Sequence, residues 1–341
     1  MKVYAAVDPQ LPLTGVGVYA RRVEQLGFDG LHVAETVHDS LAVALLAVEH
    51  TTRITVRTAV TLAFVRSPTL VAYAAWDLST MSGGRFELGL GSQIKQNIQD
   101  RFGMPWSEPR SRLRDYVGAL NALFSAFRSG DRLNYEGEHY RLTRMQPYFN
   151  PGPSDAVMTP PIWLGAVNAG MCELAGEVAH GVVTHSTNSD PAYLRDVVRP
   201  ALRRGAARAG RSAEPLIMAS TAIATGDSDA AVARERERQR RMLAFLYSTP
   251  AYATALQRRG WTDLPEQLRA LVRTELWDDL PAVLGDEVLD ELVVCGRYDE
   301  LPEILTARYG KVADGIVLPP LGEATDDRLL RECVAELRQE P

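Results

Sequence analysis

The residues most able to do chemistry lie in a run from 80 to 97, Thr-Met-Ser-Gly-Gly-Arg-Phe-Glu-Leu-Gly-Leu-Gly-Ser-Gln-Ile-Lys-Gln-Asn. Phe86, Leu88 and Leu90 alternate with Arg85, Glu87 and Gly89, the period of a strand. Gly89, Gly91 and Ser92 leave amide N–H groups uncovered where that strand runs out, and bare backbone there can approach an anion such as a phosphate. A second anion signal is Gly165-Ala166-Val167-Asn168, which leads straight into a helix start whose free N–H groups favour negative charge. The acid–base candidates are Glu35 and His38, which follow the apolar run 31–34, and Thr184-His185-Ser186, at the end of a later strand, is positioned to touch a bound ligand. A dinucleotide fingerprint would need a third glycine where Ile94 stands. The histidines show neither H-x-x-x-H nor 2-His-1-carboxylate spacing, and the chain has no G-x-S-x-G elbow, so metal and serine-nucleophile chemistry are not expected.

These residues need elements to hold them. Residues 3–7 are a compact apolar strand. Residues 14–26 have helical spacing stopped by Gly27, and 31–34 form a second strand. A helix over 41–48 and a β-branched strand over 53–60 follow. Ser67-Pro68 then opens a helix with the serine as cap and proline in the first turn, and Ser82-Gly83-Gly84 ends it. Strand four is the stretch above. A long helix spans 112–127, a short hairpin spans 135–141, and a Pro/Gly-rich loop covers 145–161. Strand five is 161–165, its helix 168–178, strand six 180–185, strand seven 215–225, and a charged helix covers 227–246. Residues 247–295 break the period with helical pieces at 265–276 and 281–293. A helix over 301–309, a strand over 315–318 and a helix over 326–339 close the chain. Strand and helix alternating in this way imply a parallel sheet wrapped by helices, either a barrel or a doubly wound sheet.

The 341 residues are 46% hydrophobic and carry a net charge of −6, an ordinary globular composition with no basic footprint for nucleic acid or anionic membranes. No apolar run approaches a membrane span, and the first residues lack a signal-peptide core. Cys172, Cys295 and Cys333 are few, odd in number and far apart, which fits a reducing cytoplasm.

The segment Ser-Gly-Gly-Arg-Phe-Glu-Leu-Gly-Leu-Gly-Ser resembles the S-x-G-R-x-x-L-G-x-G hallmark of the luciferase-like flavin and deazaflavin oxidoreductases, most closely the branch that uses coenzyme F420. Tyr135-Glu136-Gly137-Glu138-His139-Tyr140 is similar to that family's F-x-G-x-x-Y segment, and the resemblance extends over nearly the whole chain. It implies a (β/α)8 TIM barrel with a helical insertion, 247–295, before the last βα unit, acting as a homodimer on a small-molecule substrate. It implies hydride transfer at the C5 of coenzyme F420, with a reduced-FMN monooxygenase as the alternative and a non-catalytic flavin-binding barrel as a third reading. Glu35 matches the family's acid, a general acid if a cofactor face walls it in. Thr36 stands where relatives carry histidine, and His38 is the substitute. The resemblance further implies a cis peptide behind the cofactor ring near Thr58, Ala59 and Thr61, with Thr58-Ala59 as the register. It implies a cofactor cradle of Ser92, Asn97, Gly165, Ala166, Val167, His185 and Ser186. Ile94, where some relatives have a proton-donating glutamate, points to a more apolar substrate. Phe64, Met104 and Trp106 are candidate pocket walls, and Arg66 is expected to act as a structural partner within its loop.

Overall fold

Eight parallel strands close on themselves. A computed structural model describes residues 1–154, 156–322 and 326–339. The strands are β1 (Lys2–Ala6), β2 (Gly30–Val33), β3 (Thr55–Thr58), β4 (Phe86–Gly91), β5 (Ile162–Gly165), β6 (Gly181–Val183), β7 (Leu216–Ala219) and β8 (Gly315–Leu318). Each pairs in parallel with its neighbour in sequence, β8 returns to β1, and β3 pairs with β4 through Val56 with Phe86 and Arg57 with Glu87. A closed ring in which all eight strands have two neighbours is what a doubly wound sheet cannot have, so the topology is the barrel.

The first five helices are α1 (Leu13–Gln25), α2 (Ser40–Glu49), α3 (Pro68–Ser82), α4 (Pro109–Ser129) and α5 (Ala169–Val178). Their ends follow the sequence signals. Asp39 caps α2 by accepting from Leu41 N, Ser67 caps α3 by accepting from Thr69 N, and Asn168 caps α5 by accepting from Met171 N. Gly83 ends α3 at φ +62°, a conformation that favours glycine.

The strand expected over 215–225 is two strands. β7 stays in the barrel, the chain turns at Ser220 and Thr221, and Ala222–Gly226 leaves to pair in parallel with Val293–Arg297. Both halves are apolar, so hydrophobicity alone could not show the break. The helix expected over 281–293 is likewise two: Leu280–Val283 and Asp286–Leu292 are helical, and Val293 already belongs to that outer pair. Between β7 and β8 the helices Ala253–Gln257, Leu264–Arg273 and Asp286–Leu292 pack with Asp229–Tyr247 around their own small core of Leu243, Leu256, Leu268, Leu284 and Leu289. Among the described residues no helix is long and apolar enough to cross a membrane.

The barrel interior holds a charge. Arg57, 2% exposed, donates to Glu87, Tyr4 and His32, and its guanidinium lies 3.6 Å from the centre of the Trp163 ring. Partners from β1, β2, β4 and β5 converge on one side chain only if it points down the barrel axis. Above it the inward positions shrink to Ala6, Ala34, Ala59, Gly89, Gly91 and Gly165, so the barrel is plugged below and hollow at its C-terminal mouth.

Candidate active site

That hollow is a cavity of about 540 Å³, large enough for a cofactor with a small substrate. Ala34, Ala59, Val60, Gly91, Gly165 and Ala166 line it from the strand ends. Ser92, Lys95, Trp106 and Met171 line it from the loops and helices, and Ala251 with Tyr252 reach it from the segment after β7. Phe64, 1% exposed, backs Trp106 edge to face.

The floor is shaped by a bulge after β3. The cis peptide bond joins Ala59 to Val60, one residue beyond the expected Thr58-Ala59 register. A Cβ on Gly91 would sit 2.4 Å from one methyl of Val60, and a Cβ on Gly165 would sit 2.9 Å from the other. Two strands therefore present glycine because Val60 occupies the space where their side chains would be. Beyond Gly91, Gln93 adopts φ +58° and its side chain accepts from Ile94 N.

Glu35 faces the cavity, but its oxygens are taken. Arg66 donates to Oε1 at 2.5 Å and to Oε2 at 3.0 Å; Oε2 also accepts from Leu62 N at 2.8 Å and from Ser40 Oγ at 3.3 Å. These donors occupy both oxygens of the carboxylate. Glu35 thus ties the β2 loop to the β3 loop, and Arg66 is the structural partner its position suggested.

His185 is placed by the loop it begins. Its N–H donates to Asn188 Oδ1, and Asn188 Nδ2 donates in turn to the carbonyls of Ala166 and Val167, joining the β5 and β6 mouths. Nδ1 accepts from Thr187 N at 3.4 Å and lies 2.9 Å from Thr187 Oγ1. The opposite face of the ring stacks on Tyr252, centroids 4.8 Å apart and 12° from parallel. Burial pushes the imidazole down to about 4 and raises the Tyr252 phenol, so both are neutral at physiological pH.

Of the residues expected at the site, Glu35, Ala59, Ser92, Gly165, Ala166, Val167 and His185 line the cavity together. Thr58 does not: it is fully buried, and its Oγ1 donates to Gly89 O and accepts from Gly89 N, lacing β3 to β4. Thr61, also fully buried, bonds Ser40 Oγ at 2.9 Å. Both hydroxyls are spent within the protein. Asn97 lies in the turn Asn97–Arg101, outside the lining, and Ser186 borders a separate cavity of about 380 Å³. His38 is half-buried in the loop before α2, also outside the lining, and Met104 does not reach the cavity either. Tyr252 was not anticipated. Tyr252 comes from a segment 67 residues beyond His185 with no motif around it, whereas the Gly91 and Gly165 pair, both at strand ends, held a signal for something bulky between them.

A barrel plugged by side chains and open only at the C-terminal ends of its strands defines an enzyme that binds its ligands at that mouth. The chain belongs to the luciferase-like monooxygenase family, whose profile matches residues 4–314, and it is an oxidoreductase like the relatives it matches. It is 38% identical to an uncharacterized protein of Mycobacterium tuberculosis over 93% of this chain and 92% of that protein. It is 30% identical to an F420-dependent glucose-6-phosphate dehydrogenase of Nakamurella multipartita over 62% of this chain and 64% of that one. The fold superposes on the coenzyme F420 dependent tetrahydromethanopterin reductase of Methanopyrus kandleri with a TM-score of 0.78 at 20% identity, covering 99% of this chain and 97% of that structure.

Proposed function

We propose that this protein is a coenzyme F420-dependent oxidoreductase that moves a hydride between the deazaflavin C5 and a small organic substrate. The observation that carries the reading is the cradle: a floor of Ala34, Ala59, Val60, Gly91 and Gly165 in which two strands carry no Cβ because Val60 takes that space. Such a floor suits a planar tricyclic ring. Around it, Ser92 offers a hydroxyl and bare strand-end amides, and the N-terminus of α5 offers the N–H groups of Ala169 and Gly170 beyond the one Asn168 caps. Lys95 supplies a positive charge on the same rim for an acidic cofactor chain. The homology to an F420-dependent dehydrogenase supports the choice of deazaflavin.

When bound, the deazaflavin supplies hydride donation and acceptance without activating dioxygen. The protein's share is geometric and electrostatic. Val60 and the small residues beside it hold the ring face at one height. Trp106, Ile94 and Met171 exclude water, which strengthens every polar interaction left inside. Glu35, fixed by Arg66, keeps the two loops that carry the floor in one arrangement.

Titrating the purified apoprotein separately with F420 and with FMN tests the reading. Saturable F420 binding with weaker FMN binding is expected. Tight FMN binding with none for F420 would make the protein a reduced-FMN monooxygenase, and binding without turnover across substrate panels would leave a flavin-binding barrel. A homodimer is part of this proposal and is checked by light scattering of the purified chain.

A further inference from the structure

Few polar groups in the cavity remain free to meet a substrate. Glu35 is saturated by Arg66, Leu62 N and Ser40. Thr184 Oγ1 is bonded to Ser189 Oγ and Met218 O, Asn168 Oδ1 to Met171 N, and Gln93 Oε1 to Ile94 N. Ser92 and Lys95 sit at the β4 end with the bare amides assigned to the cofactor. The NH2 groups of Gln93 and Asn168 remain on the β4 and β5 sides with those amides, and His185 and Tyr252 face the cavity from the β6 side, two strands from Ser92.

Their arrangement is specific. Thr187 N–H, 3.4 Å from Nδ1 of His185, can only donate, and the Thr187 hydroxyl at 2.9 Å is able to donate to the same nitrogen; with Nδ1 accepting, the proton of the neutral ring is on Nε2. Nε2 has no protein partner among the described residues, nor has the Tyr252 hydroxyl, and both side chains line the cavity. The stack holds the two rings 12° from parallel with centroids 4.8 Å apart, so both side chains belong to one wall.

We infer that His185 Nε2–H and the Tyr252 hydroxyl form a paired neutral donor for one substrate oxygen, and that the substrate is an uncharged, largely apolar carbonyl compound or the matching alcohol. The inference rests on the cofactor reading above. A neutral imidazole can polarise a carbonyl by donating from Nε2. Two neutral donors stabilise negative charge as it develops on oxygen while leaving a full charge in the ground state poorly compensated. A phosphorylated or carboxylate substrate would find no buried cation on this wall. In the reducing direction, the hydride from reduced F420 forms a C–H bond at the carbonyl carbon, the C=O π pair moves to oxygen between the two donors, and a proton from water completes the alcohol.

The probes are acetophenone labelled with 13C at its carbonyl, and benzoate as its charged counterpart. With the F420-loaded protein, the acetophenone carbonyl resonance should move downfield on binding. His185→Phe keeps a stacking ring without the donor and should lose that shift with roughly tenfold weaker binding. His185→Gln, which keeps an N–H, should retain much of it, and Tyr252→Phe should weaken it further. Benzoate should bind at least about tenfold more weakly than acetophenone, since the apolar wall cannot compensate its charge. A carbonyl shift indifferent to both His185→Phe and Tyr252→Phe, no acetophenone binding, or tighter benzoate binding would overturn the inference. If F420 fails to bind while apoprotein still shows the His185-dependent shift, only the cofactor reading falls. If F420 binds and the shift ignores His185, only this inference falls.

Discussion

Glu35 and Arg66 are joined by two hydrogen bonds, Nη2 to Oε1 at 2.5 Å and Nη1 to Oε2 at 3.0 Å, across the loops that follow β2 and β3. The carboxylate most easily read as a proton donor is therefore a clamp. Glu35→Gln leaves Arg66 with Asp39 as its one remaining carboxylate, and it should lower stability by about 1–3 kcal/mol in urea unfolding. Combined with Arg66→Met, the loss should be smaller than the sum of the two single losses. Additive losses would show that the clamp carries no coupling.

The ion pair inside the barrel should be less forgiving. Arg57 is 2% exposed, and Glu87 is its acidic partner among the described residues. Removing that partner strands a buried charge, so Glu87→Gln should cost about 3–5 kcal/mol. Arg57→Met together with Glu87→Gln should recover part of it, because the stranded charge goes too. Unfolding curves for the two variants decide the point; equal losses would mean that the barrel hydrates Arg57 when its partner is gone.

His185 predicts a direction in pH. Its folded-state pKa is pushed down to about 4 by burial against Tyr252 and Thr187, below the ordinary histidine value near 6.5. Between those values the unfolded chain binds a proton that the folded one refuses. Stability should therefore rise with pH across that window and level off above it. His32, buried beside Arg57 and also pushed well down, adds to the same slope. Thermal unfolding of His185→Gln between pH 4 and 7 should show a flatter dependence than the parent protein. An identical slope would place the titration elsewhere.

Much of this was legible from residue types, and the rest failed for identifiable reasons. Capping chemistry is local, so Ser67 marks the start of its helix without tertiary information. The glycines of β4 and β5 marked the mouth. Barrel closure was not readable from periodicity, because a buried parallel strand looks the same in either topology; the Val56 with Phe86 pairing is a long-range fact. The roles of Thr58 and Thr61 were hidden because a hydroxyl at a strand end serves a ligand or a neighbouring strand equally well, and here the neighbours took both. Tyr252 was invisible because nothing in the sequence says where the segment after β7 folds back.

Val60 and Gly91 give the sharpest test of the floor. A Cβ at position 91 would lie 2.4 Å from a Val60 methyl, closer than carbon atoms tolerate, so Gly91→Ala must displace Val60. The barrel wall lies behind it, and the open direction is the cavity. A raised Val60 would tilt or expel a flat ring while leaving β4 hydrogen bonding intact. Gly91→Ala should therefore weaken F420 binding by at least about tenfold, since even a loss of 1.4 kcal/mol of contact does so, with only a modest change in thermal stability. Adding Val60→Ala removes the methyl that clashes and should restore binding in the double variant. Rescue of this kind belongs to a steric floor alone, because a mutation that merely unfolded the mouth would not be repaired by deleting a second side chain. Fluorescence titration of the three variants with F420 measures it, and failure of Val60→Ala to rescue would mean that the ring does not rest on this bulge.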